Sequence, residues 1–229
     1  MRTLVTGGTG LLGKELQKIL KNKTTYIGFS DMDIRDEKEV KTCIEMYKPD
    51  LVIHLAADVT TDGLDKQTTY DTNVIGTRNV AKHSKKLIYM STDYVFDGKK
   101  GNYTEKDYPN PLQFYGLTKL LGEYECRYCP EYIILRASLK PRPFRHANVP
   151  KGMITSGDYV DRIAKMIKEV VLLSQTKKLP EIINIGTGKK LMKDLASETR
   201  KVGDIDIESL AIKIPLDTTL DLKLWKSLI

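Results

Sequence analysis

Cysteine is scarce in this sequence, and its few thiols form no recognisable metal or disulfide pattern. The 229 residues include three cysteines, Cys43, Cys126 and Cys129. An odd count with no secretory leader favours a reducing compartment, so we expect a cytoplasmic protein. Cys126 and Cys129 form a single C-x-x-C pair, and none of the three histidines lies near it in the sequence. A structural zinc site needs four ligands, so we expect no metal site.

Long apolar runs and basic stripes are also missing. No stretch approaches the roughly 20 apolar residues of a membrane span, and no basic and apolar leader precedes the first strand-like run at Thr3. The net charge of +7 comes from scattered lysines with few aromatic residues between them. This pattern is typical of a solvated surface and of anionic nucleotide ligands, and it argues against nucleic acid or a membrane as a partner.

What the sequence does contain is an alternation of apolar strand patterns and amphipathic helical patterns. This order predicts an α/β fold with a doubly wound parallel sheet, which binds ligands at the carboxyl ends of its strands. The predicted strands lie at about 2–6, 25–29, 51–55, 86–90, 131–135 and 181–185. The predicted helices lie at about 11–21, 36–47, 66–83, 112–127, 157–174 and 191–201.

A proline-rich stretch interrupts this alternation. Pro141 and Pro143 exclude a regular helix, because proline lacks the backbone N–H and clashes with the preceding turn, and they predict a loop over the site. We therefore divide the chain into a Rossmann domain over 1–138, joined by the strand at 181–185, and a small, shortened and interleaved substrate lobe over 139–229.

A glycine-rich turn connects the first strand to the first helix. Gly7, Gly10 and Gly13 allow a tight turn, close approach of the backbone to a phosphate, and close packing of helix on strand. The helix N-terminus then offers free N–H groups and a positive dipole end to a pyrophosphate. In this strand–turn–helix context the motif predicts a bound dinucleotide, NADP or NAD.

The ends of the second and third strands leave the choice of dinucleotide open. Ser30 and Arg35 would tolerate a 2′-phosphate, whereas an acid such as Asp31 would bind ribose hydroxyls. Asp33 is a candidate for the adenine edge, with a helix N-cap as the alternative. After the third strand, small alanines would let the cofactor lie flat across the strand ends, and His54 before them is expected to face the core.

Tyr115 and Lys119 are four positions apart. If a helix opens near Pro111, both side chains lie on one face, one turn apart. A cation beside a phenol lowers the pKa of the tyrosine, which could then exchange a proton with a carbonyl or hydroxyl oxygen near neutral pH. The same spacing also occurs by chance on solvated helices, so it needs the support of the other motifs.

Together these motifs resemble the extended short-chain dehydrogenase/reductase family. The matching features are the glycine turn, the His-Leu-Ala-Ala strand end, the segment 73–77, the strand end Ser-Thr-Asp at 91–93, and the tyrosine–lysine pair. The resemblance is closer still to dTDP-4-dehydrorhamnose reductases and related sugar-nucleotide-binding proteins. It is carried by 91–98 and 115–123 and extended by 156–161 and 184–188. The C-terminal lobe is short for that family.

The resemblance implies roles for the matching residues. Tyr115 would protonate the 4-keto oxygen as hydride arrives, Thr92 would hydrogen-bond that oxygen, and Lys119 would hold the nicotinamide ribose and lower the pKa of Tyr115. The implied substrate-binding residues are Asp93, Tyr94, Arg142 and Arg145; for the two arginines, a pyrophosphate contact and a solvated basic loop are equal alternatives. The implied cofactor-binding residues are Gly7, Thr9, Gly10, Leu11, Leu12, Gly13, Ser30, Asp33, Ile34, Ala56, Ala57, Asn73, Tyr115 and Lys119.

The function expected from the resemblance is NAD(P)H-dependent reduction of the 4-keto group of a dTDP- or UDP-linked 4-keto-6-deoxysugar. Two alternatives stay open: a sugar-nucleotide 4-epimerase with tightly bound NAD, and a non-catalytic subunit resembling the regulatory subunit of methionine adenosyltransferase. Besides the nucleotide-sugar substrate, expected partners are a second copy of the chain in a homodimer and, upstream, a 4,6-dehydratase and a 3,5-epimerase. The resemblance also implies a separate epimerase, because fused epimerase-reductases of related fold carry a proton-transferring cysteine near the end of the fourth strand and this strand ends in Ser-Thr-Asp.

Overall fold

Each central strand is a run of apolar residues, and such runs are buried on both faces when helices cover both sides of a sheet. The computed structural model describes residues 1–60 and 65–229. The strands are β1 (Thr3–Thr6), β2 (Thr24–Ile27), β3 (Leu51–His54), β4 (Lys86–Met90), β5 (Glu131–Arg136), β6 (Leu139–Lys140), β7 (Asn148–Pro150), β8 (Ile154–Thr155), β9 (Asp158–Tyr159), β10 (Ile182–Asn184), β11 (Lys190–Leu191) and β12 (Gly203–Ile205). The α-helices are α1 (Leu11–Ile19), α2 (Glu37–Tyr47), α3 (Lys66–Tyr70), α4 (Gly76–His83), α5 (Phe114–Glu125), α6 (Val160–Leu173), α7 (Met192–Ser197) and α8 (Lys223–Leu228).

Six strands form one parallel sheet in the order β10-β5-β4-β3-β1-β2. This arrangement confirms the predicted α/β fold with a parallel, doubly wound sheet. The register places Thr6 beside His54, and His54 beside Tyr89. The carboxyl ends of β1, β3 and β4 therefore meet at one edge, where a ligand is expected to bind.

The core consists of two apolar layers, one on each face of the sheet. Because side chains alternate along a strand, Leu4 and Val5 point to opposite layers. Val5 packs with residues of α1, α6 and α8, whereas Leu4 packs with residues of α2 and α4. The helices on the two faces thus hold the strand ends in a fixed arrangement.

The predicted helix at 66–83 is interrupted in the structure. A π-helical turn over Asp71–Ile75 separates α3 from α4. Within it, the Asn73 side chain donates hydrogen bonds to the backbone oxygen of Asp58 and to Thr118 Oγ1, at 2.8 and 3.0 Å. The widened turn thus connects the segment after β3 with helix α5, an arrangement that helical periodicity does not indicate.

Short regular elements also form near the C-terminus. Strand β12 pairs with β7, and α8 inserts Trp225, which is 3% exposed, into the core layer of α1 and α6. The proline-rich stretch is non-helical, as expected, and its β6 pairs in parallel with β9.

Two further features concern membranes and thiols. Over residues 1–60 and 65–229, no helix is long and apolar enough to cross a bilayer. Cys43, Cys126 and Cys129 are buried free thiols.

Candidate active site

A cavity of about 450 Å³ opens at the carboxyl ends of β1, β4 and β5. It collects residues from the glycine turn, the β4 end, helix α5 and the proline-rich stretch, which are distant in sequence. Its lining residues are Gly7, Gly10, Leu11, Leu12, Gly13, Leu55, Ala57, Val59, Met90, Ser91, Thr92, Asp93, Tyr94, Tyr115, Lys119, Ala137, Ser138, Leu139, Lys140, Pro141, Arg145 and His146. All three residues expected to be catalytic, Thr92, Tyr115 and Lys119, are among them.

Two glycines let helix α5 approach the end of β4. A Cβ atom on Gly116 would lie 2.3 Å from the carbonyl oxygen of Tyr94, and one on Gly122 would lie 2.3 Å from the hydroxyl of Tyr89. Neither position has room for a side chain. The close contact brings the helix face that carries Tyr115 and Lys119 against the strand end, as the sequence spacing predicted.

The pKa of Tyr115 shifts in the direction opposite to the one expected. Burial, followed by the carboxylate of Asp93, raises the pKa of Tyr115 well above its usual value, while a hydrogen bond with Thr92 lowers it. The expectation that Lys119 lowers the pKa of this tyrosine is therefore wrong. Burial and the nearby carboxylates of Asp93 and Asp58 disfavour the phenolate and outweigh the one hydrogen bond that favours it, so Tyr115 is protonated at neutral pH.

Burial acts on Lys119 in the opposite sense. Lys119 is only 3% exposed, and this burial lowers the pKa of its ammonium group to about 7. Its Nζ atom lies 4.1 Å from the centre of the Tyr89 ring, whose π-face favours a cation. Lys119 is consequently able to gain or lose a proton near neutral pH.

His54 lies behind the cavity and takes no part in its lining. It is fully buried and hydrogen-bonded to Thr6 Oγ1 at 2.6 Å and to Thr77 Oγ1 at 3.1 Å. Burial, and to a smaller degree the charge of Lys119, lowers the pKa of His54 to about 3. It is therefore the neutral core histidine that the strand pattern indicated.

The β4 end presents a hydroxyl and a carboxylate to the cavity. Thr92 Oγ1 donates to Asp93 Oδ1 at 3.3 Å and accepts from the Tyr94 backbone N–H at 3.2 Å. Burial raises the pKa of Asp93, whereas Lys140 and hydrogen bonds from Thr218 and Thr92 lower it. The carboxylate is thus held by donors on both oxygens.

The glycine turn fits a dinucleotide. Gly7 adopts a left-handed conformation with φ of +67°, and a Cβ atom there would lie 2.6 Å from the backbone nitrogen of Ala56. A Cβ atom on Gly13 would lie 2.4 Å from the carbonyl oxygen of Gly8. Helix α1 begins after Gly10 with no side-chain cap, so its first N–H groups are available to a diphosphate.

Several residues expected to bind the cofactor do not line this cavity. Asp33 forms an ion pair with Arg35 at 2.7 Å, which holds the pKa of Asp33 below its usual value. The alternative role for Asp33, an N-cap, is wrong, because Asp36 caps α2 by accepting from the N–H groups of Lys38 and Glu39. The other residues outside the lining are Thr9, Ser30, Ile34, Ala56 and Asn73.

Of the two arginines expected from the proline-rich stretch, Arg145 lines the cavity and Arg142 does not. Arg142 points away from the cavity lining: it lies 3.3 Å from Glu198 and 3.8 Å from Asp161, and stacks 4.5 Å from the centre of the Tyr159 ring. Lys140 and His146, which the sequence did not single out, line the cavity beside Arg145. Lys140 comes shortly after β5, and β5 lies next to β4 in the sheet. This position in the chain could have indicated that Lys140 lies near the site.

Comparisons with known proteins agree with this geometry. Residues 1–141 match the family described as RmlD substrate binding domain. The chain belongs to this family. The match confirms the resemblance to dTDP-4-dehydrorhamnose reductases that the motifs indicated, and it covers the glycine turn, the β4 end and helix α5.

Three relatives illustrate the match. Methionine adenosyltransferase 2 subunit beta from Danio rerio is 39% identical over 153 residues, covering 60% of this chain and 47% of that protein. A dTDP-4-dehydrorhamnose reductase from Aggregatibacter actinomycetemcomitans is 38% identical over 149 residues, covering 60% and 51%. The crystal structure of a dTDP-4-dehydrorhamnose reductase from Bacillus anthracis in complex with NADP has a TM-score of 0.87 at 26% identity, covering 99% of this chain and 92% of that one. In the sequence comparisons, the chain spans about half the length of these relatives.

The depressed pKa of Lys119 makes stability depend on pH. Lys119 loses its proton near pH 7 in the folded protein, but at about pH 10.4 in an unfolded chain. The unfolded chain therefore binds more protons between these values, and the free energy of unfolding rises with pH across this window. We predict that Lys119→Met is more stable than the parent near pH 7, and that this advantage shrinks towards about pH 10.

Urea unfolding at several pH values measures this difference. Lys165→Met, at an exposed position of α6, is the control for loss of a lysine charge. An advantage of Lys119→Met that stays constant with pH would contradict the assigned shift.

Proposed function

We propose that the protein is an NAD(P)H-dependent reductase that acts on the 4-keto group of a nucleotide-linked 4-keto-6-deoxysugar, of the dTDP- or UDP-4-dehydrorhamnose type. The observation that carries the proposal is the placement of Thr92, Tyr115 and Lys119 in one cavity with the glycine turn at Gly7 and Gly10. A proton donor, an oxygen-binding hydroxyl and a dinucleotide site are the groups that carbonyl reduction needs.

Tyr115 is proposed as the general acid. Its raised pKa keeps the phenol protonated at neutral pH, so it can give a proton to an oxygen that becomes negative. The nicotinamide, when bound, supplies the hydride. Thr92 is proposed to turn its hydroxyl proton from Asp93 Oδ1 to the same oxygen, and Lys119 is proposed to bind the nicotinamide ribose.

Charged residues of the cavity are proposed to hold the substrate. Asp93 and Tyr94 lie beside the reacting groups and suit sugar hydroxyls. Arg145 and Lys140 form a basic side that suits the diphosphate, and His146, whose pKa is lowered by burial and by these cations, lies beside them as a neutral side chain. Arg142 is paired with Glu198 and Asp161, so it could contact the diphosphate only if both ion pairs broke. We therefore assign no substrate contact to Arg142.

The cofactor is proposed to be NADP or NAD. The glycine turn and the free N-terminus of α1 support a dinucleotide in either case. The Bacillus anthracis relative is in complex with NADP. The carboxylate of Asp33 is already paired with Arg35, which disfavours the acid-to-ribose contact typical of NAD selectivity. Parallel titrations with NADPH and NADH would measure the preference.

The proposed setting is a reducing compartment, with a homodimer as the assembly and with a 4,6-dehydratase and a 3,5-epimerase supplying the substrate. The three buried free thiols are compatible with this environment. Size-exclusion chromatography with light scattering tests the dimer.

A non-catalytic regulatory subunit is the second candidate function. It is favoured by the similarity to methionine adenosyltransferase 2 subunit beta. The two candidates differ in turnover, because a regulatory subunit that kept its ancestral site could bind NADPH without oxidising it. The decisive assay follows the absorbance of NADPH with dTDP- and UDP-linked 4-keto-6-deoxysugars, before and after 3,5-epimerisation. Substrate-dependent oxidation supports the reductase, and binding without oxidation supports the regulatory subunit.

Tyr115→Phe tests the assigned acid. It removes the transferable proton and keeps the ring, so we predict that kcat falls by about 10²–10⁴-fold while the Kd of NADPH stays near that of the parent. Tyr124→Phe, a half-exposed tyrosine on the same helix, is the matched control and should retain full activity. Full activity of Tyr115→Phe would exclude this residue from the mechanism.

The protein is also predicted to reduce without epimerising. Inversion beside a ketone needs an acid and a base on opposite faces, and none of the cysteines lines the cavity. Burial also raises the pKa of Cys126 well above its usual value, so its thiol is a poor proton shuttle.

Incubation of the unepimerised 4-keto sugar in deuterated water, with oxidised cofactor and no hydride source, measures epimerisation. We expect no deuterium at C3 or C5 above a buffer control. Enzyme-dependent incorporation would contradict this prediction.

A further inference from the structure

The stretch of chain before α8 passes through the interior of the protein. Thr218 and Thr219 are each 1% exposed, although they lie near the end of the sequence. The backbone N–H of Tyr103 donates to the Thr219 oxygen at 2.7 Å, and that of Leu220 donates to Ser156 Oγ at 3.0 Å. Hydrogen bonds from two separate parts of the fold therefore fix the position of this stretch.

Two glycines of the segment after β4 leave room for it. Gly98 and Gly101 both have left-handed φ angles, of +73° and +65°. A Cβ atom on Gly98 would lie 2.5 Å from Pro215, and one on Gly101 would lie 2.6 Å from the Asp217 carboxylate. That carboxylate in turn accepts from the Thr219 hydroxyl at 2.6 Å. The path of the chain is thus set by close, specific contacts on both sides.

This path places the hydroxyl of Thr218 next to Asp93, a residue that lines the cavity. Thr218 Oγ1 donates a hydrogen bond to Asp93 Oδ2, across 125 positions of the sequence. Thr92 donates to the other carboxylate oxygen. Asp93 lines the cavity, whereas Thr218 lies behind it and does not. Thr218 can therefore act on a ligand only through Asp93.

We propose that Thr218 is a positioning residue, whose hydrogen bond orients the carboxylate of Asp93 to accept a hydroxyl of the bound sugar. The proposal rests on the proposed function. Without the Thr218 hydroxyl, the carboxylate keeps only the longer hydrogen bond from Thr92, so its orientation about the Cβ–Cγ bond is held less firmly. A buried carboxylate with fewer donors binds a proton more readily, and in the protonated form it cannot accept the sugar hydroxyl in the same way.

The surroundings of Asp93 predict the direction of this effect. Burial raises its pKa, and the charge of Lys140 at the end of β6 lowers it. The tyrosines that face it, Tyr115 on α5 and the adjacent Tyr94, have raised pKa values and are neutral near pH 7. Lys140 and the two threonine donors therefore oppose burial, so removal of Thr218 Oγ1 shifts the pKa of Asp93 upward.

Thr218→Val and Thr218→Ser test the proposal in the full chain. Valine keeps the shape and removes the donor, whereas serine keeps the donor. For Thr218→Val we expect the KM of the nucleotide sugar to rise about tenfold, with an unchanged Kd for NADPH and an acid limb of kcat/KM that moves to higher pH. Thr218→Ser should stay within about twofold of the parent. Thr219→Val removes a neighbouring buried hydroxyl that bonds Asp217 instead, and should leave the KM unchanged.

Carbon-13 NMR of labelled aspartate carboxyl groups, with the Asp93 signal assigned through Asp93→Asn, measures the pKa of Asp93 without any turnover. An Asp93 pKa that is higher in Thr218→Val than in the parent and is restored in Thr218→Ser supports the proposal, even if no sugar nucleotide is reduced and the proposed function fails. If Thr218→Val does not fold, Thr218→Ala takes its place. An unshifted Asp93 pKa, or a KM that changes equally in the valine and serine variants, overturns the proposal.

Discussion

The contact of helix α5 with the end of β4 is the constraint on which the site depends. Gly116 lies against the carbonyl of Tyr94, and Gly122 against the hydroxyl of Tyr89, with no space for a side chain at either position. This approach buries Tyr115 and Lys119 together beside Thr92. A methyl group at either glycine would push the helix outward and separate the proton donor from the strand end that is proposed to bind the same oxygen.

Burial then determines the protonation states of the site. It raises the pKa of Tyr115 and lowers that of Lys119 to about 7, so both side chains tend towards their neutral forms. A protonated phenol suits an acid that waits for negative charge to develop on a carbonyl oxygen. The same burial raises the pKa of Asp93, and its hydrogen bonds and Lys140 counteract this effect. Burial therefore disfavours the charged form of both Tyr115 and Asp93, and, among the residues that the structure describes, only Asp93 has a nearby cation that opposes this effect.

The sequence predicted those parts of the molecule that depend on local patterns. Strand and helix periodicity indicated the parallel sheet, and the turn at Gly7–Gly13 and the spacing of Tyr115 and Lys119 indicated which residues meet at its edge. Contacts between distant segments were beyond such reasoning. Arg142 forms an ion pair with Glu198, which directly follows α7. Lys140 lines the cavity, and Arg142 does not. The hydrogen bond from Thr218 to Asp93 likewise depends on the path of the chain end through the interior.

We propose that hydride passes in this cavity from a bound nicotinamide to a sugar carbon, and a proton from Tyr115 to the oxygen on that carbon. The most direct measurement uses NADPH deuterated at C4 of the nicotinamide ring, the 4-keto sugar nucleotide, and NMR of the isolated product. We predict one deuterium at C4 of the sugar, and about one hundredth of that product or less when Tyr115→Phe replaces the parent for the same time. A product with deuterium elsewhere, or a sugar nucleotide recovered unchanged while NADPH binds, would contradict it.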